Sequence, residues 1–106
     1  MTLEEINKRL IEVMTELTAS ADTLAGAQYD YDRRKAELYL MADTQAQKRA
    51  EERDSYVSQA LEAEDLTYSL MKKKSVFKRL LNEKEFLFEI GNNIRVIEIG
   101  KRSQHG

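Results

Sequence analysis

The chain has 106 residues, room for one domain, and contains no Pro, Cys or Trp and only four Gly. The missing cysteines exclude a disulfide framework and thiolate metal sites, and no apolar run is long enough for a membrane-spanning helix. Charged residues make up 34% of the chain, alongside abundant Ala and Leu; with no proline to interrupt them, this is the composition of long helices.

The first element is a helix predicted over residues 2–41. Thr2 with Glu5 three residues later forms a capping-box pattern, and Glu4 and Glu5 suit the positive end of the helix dipole. Leu3, Leu10, Leu17, Leu24, Tyr31 and Leu38 then recur every seven residues. Ile6, Val13, Ser20, Ala27, Arg34 and Met41 interleave with them. This 3–4 spacing is the seam of a helix that packs lengthwise on another helix. Ile11, Met14 and Ala25 lie beside the seam and widen the apolar stripe. Gly26 sits in a zone of small residues, where it is either a tolerated surface glycine or a point of close helix approach.

A turn is expected at 42–44, with Asp43 or Thr44 capping a second helix over 45–90. That helix carries its own seam: Ala46, Arg53, Tyr56, Ala60, Ala63, Leu66, Leu70, Phe77 and Leu80. A short connection makes the two helices antiparallel neighbours. Folding back at residue 43 makes facing residue numbers sum to about 87. Leu10 then meets Phe77, Leu17 meets Leu70, Leu24 meets Ala63 and Tyr31 meets Tyr56. Two helices each bury one narrow face, so something must cover the surplus apolar stripe. A second copy forming a dimer is the commonest solution.

Residues 91–106 are ambiguous. Val76, Leu80, Leu87, Ile90, Ile94 and Ile97 keep one helical face apolar, which favours helix to about residue 90 and then a kink or a continuation. Phe86–Ile90 and Ile94–Ile99 flanking Gly91-Asn92-Asn93 also read as a β-hairpin. The fold class expected is therefore all-α. It is one elongated domain, a coiled-coil-like antiparallel helical hairpin with an extended second helix or a short C-terminal segment.

Charge is distributed unevenly. Residues 1–43 carry a net −4, residues 44–71 a net −3 and residues 72–106 a net +5. The basic cluster Lys72, Lys73, Lys74, Lys78 and Arg79 is the one functional-looking patch, with Lys74, Lys78 and Arg79 expected on one helix side. Such a patch supports salt-sensitive nucleic-acid binding without base reading. The alternative is ion pairing with the acidic first helix, for which Glu12 and Glu16 are the nearest acids in the register above. The acidic residues 1–71 also allow a lesser reading, a nucleic-acid mimic that blocks a nucleic-acid-binding protein.

No catalytic, cofactor or metal residues emerge. The lone His105 has no ligand-forming neighbours in sequence, no Gly-rich phosphate loop exists, and no nucleophile–His–acid set is available. The reading is a non-enzymatic cytoplasmic interaction protein, a homodimer with an unidentified protein partner, nucleic acid being the alternative partner and a membrane excluded.

The segments MTLEEINKRLIEV, YDYDRRKAELYLMAD, QKRAEERDSYVSQALEAE and RLLNEKEFLFEIGNN together resemble small phage- and prophage-encoded helical proteins. The resemblance is one of pattern across most of residues 1–93 and rests on no diagnostic motif. It implies an accessory role in replication, recombination or host modulation inside a bacterial host and transfers no site residues. The β-rich IRVIEI stretch departs from that pattern.

Overall fold

A computed structural model describes the backbone of residues 1–44 and 49–105 and the side chains of 1–42 and 49–101. Those residues form three helices: α1 (Leu3–Thr44), α2 (Ala50–Ala63) and α3 (Leu66–His105). Their arrangement is the all-α helical hairpin expected. Helix α1 packs antiparallel on α2 and α3, giving a rod of 80 × 22 × 16 Å. The width is that of two helices side by side.

Helix α1 starts as the capping pattern dictates. The Glu5 amide donates to Thr2 Oγ1 at 3.2 Å, and the Thr2 hydroxyl donates to the Glu5 carboxylate at 3.2 Å. The far end of α1 differs from expectation. The helix runs through Thr44, so no turn forms at 42–44. The reversal lies between Thr44 and Ala50, where residues 45–48, with Ala46 of the expected seam, are outside the described set. Arg49 is the N-cap of α2, with extended backbone and no side-chain cap bond.

The second arm is not one helix. Ala63 ends α2, and Asp65 adopts the left-handed conformation (φ 58°) before Leu66 opens α3. The phase of the apolar residues accounts for this break. Val57 and Leu61 are the buried side chains of α2, whereas Leu70, Leu80 and Leu87 are those of α3. An unbroken helix would turn about 140° net over the five residues from Leu61 to Leu66 and send Leu66 off the seam. One left-handed residue absorbs that mismatch, as a stutter does in a coiled coil. The Glu64 amide donates to the Ala60 carbonyl and the Asp65 amide to the Glu62 carbonyl, each at 3.0 Å, so the end of α2 remains satisfied.

The core is two clusters rather than one continuous seam. At the closed end Leu38, Val57 and Leu61 are buried, with Tyr31, Tyr39, Tyr56, Ala60 and Leu66 packed around them. At the open end Ile6, Val13 and Leu87 are buried, with Leu10, Leu17, Ile90 and Ile94 against them. Leu3, Leu24 and Phe77 are half-buried, and Leu70 and Leu80 are buried along α3 between the clusters. Met41, placed on the seam by its spacing, is exposed. The glycine question is also settled. A Cβ at Gly26 would meet nothing within 4 Å, so that glycine is an open surface residue. Gly91 is the close approach, where a Cβ would stand 3.6 Å from Ile6 and 3.9 Å from Leu3.

Residues 86–99 are helical throughout, without the hairpin or the kink. The physical reason is the seam offered by α1. Leu87, Ile90, Gly91 and Ile94 recur at helical spacing and lie on Ile6 and its neighbours. A two-stranded hairpin would have had no sheet to join.

The register also differs from the one expected. Arg9 reaches Glu83, Arg34 reaches Glu64 and Tyr39 reaches Asp54, pairs whose numbers sum to 92, 98 and 93. The sequence-derived register of about 87 is therefore wrong by roughly one heptad. Moving the reversal by one residue moves every partner by two, and α1 is still helical past 43, to Thr44. Oxidation should consequently join cysteines introduced as Ile6→Cys and Gly91→Cys. A Leu17→Cys, Leu70→Cys pair, offset by about 12 Å along the axes, should stay reduced. Non-reducing electrophoresis of the two double variants distinguishes these registers.

Candidate interaction surfaces

Two arginines tie the arms together. Arg9 donates from Nε and Nη2 to the two Glu83 oxygens at 2.7 and 3.1 Å. Its Nη1 bridges Glu12 at 3.1 Å and Glu16 at 3.3 Å on its own helix. Arg34 repeats the arrangement at the other end. It donates to both Glu64 oxygens at 2.7–3.0 Å and to Glu37 at 3.1 Å. Planar guanidinium against carboxylate is the geometry that fixes orientation as well as charge. Tyr39 adds a third cross-arm bond, its hydroxyl donating to Asp54 at 2.6 Å. By spacing alone Arg34 is a seam position and Glu64, like Glu51, Glu52 and Glu62, is one more acid on a solvated helix face, while nothing in the sequence marks Glu83. Cross-helix acids carry no periodic signature, so the sequence offered no route to these pairs before the register was known.

These contacts also occupy the acids expected to neutralise the basic cluster. Glu12 and Glu16 bind Arg9 rather than any of Lys72, Lys73, Lys74 and Lys78. None of those four lysines forms an ion pair among the described residues. The cluster is not one face, however. Lys73 is half-buried on the seam side with Leu70, Phe77 and Leu80. Lys74 and Lys78 are about 40° apart on one flank, and Lys72 and Arg79 about 20° apart on the other. The expected grouping of Arg79 with Lys74 and Lys78 is thus incorrect. Arg79 instead supports the charge on Glu83, four residues along.

The larger surface feature is apolar. Ile11 and Leu40 are each 68% exposed, and Met14 and Tyr29 are exposed with them on α1. On α3 the exposed set is Tyr68, Met71, Phe86, Phe88, Val96, Ile97 and Ile99. Lys84 Nζ stands 5.9 Å from the Phe88 ring centroid and covers part of it. Among the described residues, more large apolar side chains are exposed than are buried. A rod two helices wide has no interior in which to place them.

Two concave features are open grooves. One is lined by Glu51, Glu52, Ser55, Tyr56 and Gln59, another by Asp30, Arg33, Arg34, Glu64 and Leu66. Neither brings together a nucleophile, a base and an oxyanion site. No group of three or more metal-ligating side chains occurs among the described residues, and none of their helices is long and apolar enough to cross a membrane. Comparison of the chain with known protein families, with curated proteins and with solved structures finds no match.

The arginine clamps set a pH dependence. Hydrogen bonding and charge from Arg9 hold the Glu83 carboxyl below its ordinary pKa, and Arg34 does the same for Glu64. Both groups bind protons more weakly folded than unfolded, so their contribution is present above the unfolded carboxylate pKa. It is lost as pH falls through the depressed folded values. Thermal melts should therefore show acid destabilisation below the usual carboxylate range. That slope should shrink in Glu83→Gln and again in Glu83→Gln combined with Glu64→Gln. Identical pH profiles for wild type and the double variant would contradict it.

Proposed function

We propose that the chain is a non-enzymatic protein–protein interaction module, a helical hairpin that associates with itself in the cytoplasm. The observation that carries this reading is the imbalance of apolar surface. Exposed large apolar side chains extend along both long helices and outnumber the buried ones among the described residues, which leaves apolar surface that association would cover. A second copy is the simplest cover, because a symmetric pair buries the same patch twice. The accessory role implied by the resemblance to phage and prophage proteins belongs to this reading and rests on the segments that carry the resemblance. Light scattering on a sizing column tests it. A dimer or larger assembly that persists on dilution through the micromolar range supports self-association, and a monomer at every concentration overturns it.

Nucleic-acid binding is the second reading, and the absence of ion pairs at Lys72, Lys73, Lys74 and Lys78 among the described residues favours it. Phosphates would supply the counter-charge that Glu12 and Glu16 do not. Because the lysines occupy both flanks of α3, contact would follow backbone charge and not base sequence. Anisotropy with a labelled random duplex should then show binding at low salt, a steep decline as salt is added, and loss in Lys72→Glu, Lys73→Glu, Lys74→Glu. No binding at low salt removes this reading.

A further inference from the structure

Helix α3 outruns α1. The capped first turn of α1 at Leu3 lies beside Gly91, and Ile94 is the last α3 side chain packed into the open-end cluster. Beyond it α3 remains helical to His105, about 16 Å of helix with no neighbour along the seam. The seam itself does not stop there. Ile90, Ile94, Ile97 and Lys101 continue the 3–4 spacing of Leu80 and Leu87, and Glu98 sits on the same face. On that face Ile97 is 58% exposed. A helical face that is an intramolecular interface as far as Ile94 is thus left open from Ile97 onward.

We propose that this overhang is the dimer contact, and that its occupant is the same overhang of a second copy, running antiparallel in the place that α1 vacates. The proposal rests on the self-association read above and assigns it a surface. Direction comes first. Helix α1 is antiparallel to α3, so a second α3 related by a two-fold axis enters the vacated position with the polarity that α1 had. Steric limits come next. The partner's helix can advance only to where Leu3 and Ile6 cover Gly91, so the overlap is confined to the stretch beyond about Ile94.

Charge then selects the register. Arg95, Glu98 and Lys101 are all exposed, and none makes an ion pair among the described residues. A two-fold axis between Ile99 and Gly100 sets Glu98 beside Lys101 of the partner subunit, and Lys101 beside the partner's Glu98. Both pairs lie on the seam face. Ile97 from each copy flanks them on the same side of the helix. The charges specify orientation and register, and the isoleucines supply the apolar area. The product is a head-to-head rod in which the two-helix cross-section runs on through the junction.

The test is an ion-pair swap on the full chain. Glu98→Lys alone and Lys101→Glu alone each place like charges face to face twice, and each should weaken dimerisation by about tenfold or more. The two together recreate both pairs and should restore the wild-type dissociation constant. Far-ultraviolet circular dichroism checks that every variant keeps its helicity. Small-angle scattering adds the shape. End-to-end pairing predicts a maximum dimension of about 140 Å against 80 Å for one copy, whereas side-by-side packing would add little length. Ile11→Glu with Met14→Glu probes the α1 face and should leave the head-to-head dimer intact. A dimer indifferent to the swaps, or one dissolved by the α1 substitutions, overturns the overhang assignment while leaving self-association in place. A wild-type monomer overturns both. A double variant that stays monomeric, or a dimer no longer than one copy, overturns the antiparallel pairing.

Discussion

The arrangement depends on one left-handed residue. Val57 and Leu61 on α2 and Leu66, Leu70, Leu80 and Leu87 on α3 are out of phase for a single helix, and all of them must face α1. Asp65 resolves the conflict with a positive φ, a conformation that costs a non-glycine residue about 1 kcal/mol or more. Burying a side chain the size of Leu61 contributes about 1.5–3 kcal/mol, so keeping both sets on the seam outweighs the strain at Asp65. Arg34 holds the break from the opposite helix by gripping both oxygens of Glu64, the residue just before it. Once that corner is set, α3 has one direction and one rotation, and it meets α1 at Gly91 near the other end.

The two ends of the hairpin share a device. Each has a buried apolar cluster beside an arginine that spans to a glutamate on the opposite arm and to acids on its own helix. These ion pairs remain in contact with solvent, the Arg9–Glu83 pair being part-buried, so they count for more in fixing geometry than in stability. Between the ends the interface is thin: Ser20 and Ala27 occupy α1 seam positions, and Lys73 occupies one on α3.

A two-helix rod also explains the character of the surface. Apolar residues placed anywhere but the seam remain in water, and α3 carries them on several sides at once: Phe86 and Phe88, then Val96, Ile97 and Ile99. The basic cluster is scattered for a related reason. Consecutive lysines on a helix are about 100° apart, so Lys72, Lys73 and Lys74 cannot share a face.

The sequence alone determined the class, the seam of α1 and its first cap. Seven-residue spacing from Leu3 to Leu38 and the Thr2–Glu5 pair are local features, and local features survive folding because a helix is built from near neighbours. In α3 the apolar spacing of Leu80, Leu87, Ile90 and Ile94 was equally readable, although β-rich composition kept a hairpin open for residues 86–99. Only the tertiary structure decided the rest: where the chain reverses, which residues face each other, that the second arm breaks at Asp65, and which acids Arg9 and Arg34 reach. Each of these depends on two segments distant in sequence meeting in one phase. A heptad pattern is unchanged by a slip of one heptad, so it cannot choose between registers differing by that step. The choice falls to features that break the repeat: Gly91 against Ile6, the bulk of Val57 and Leu61, and two arginines with carboxylates in reach.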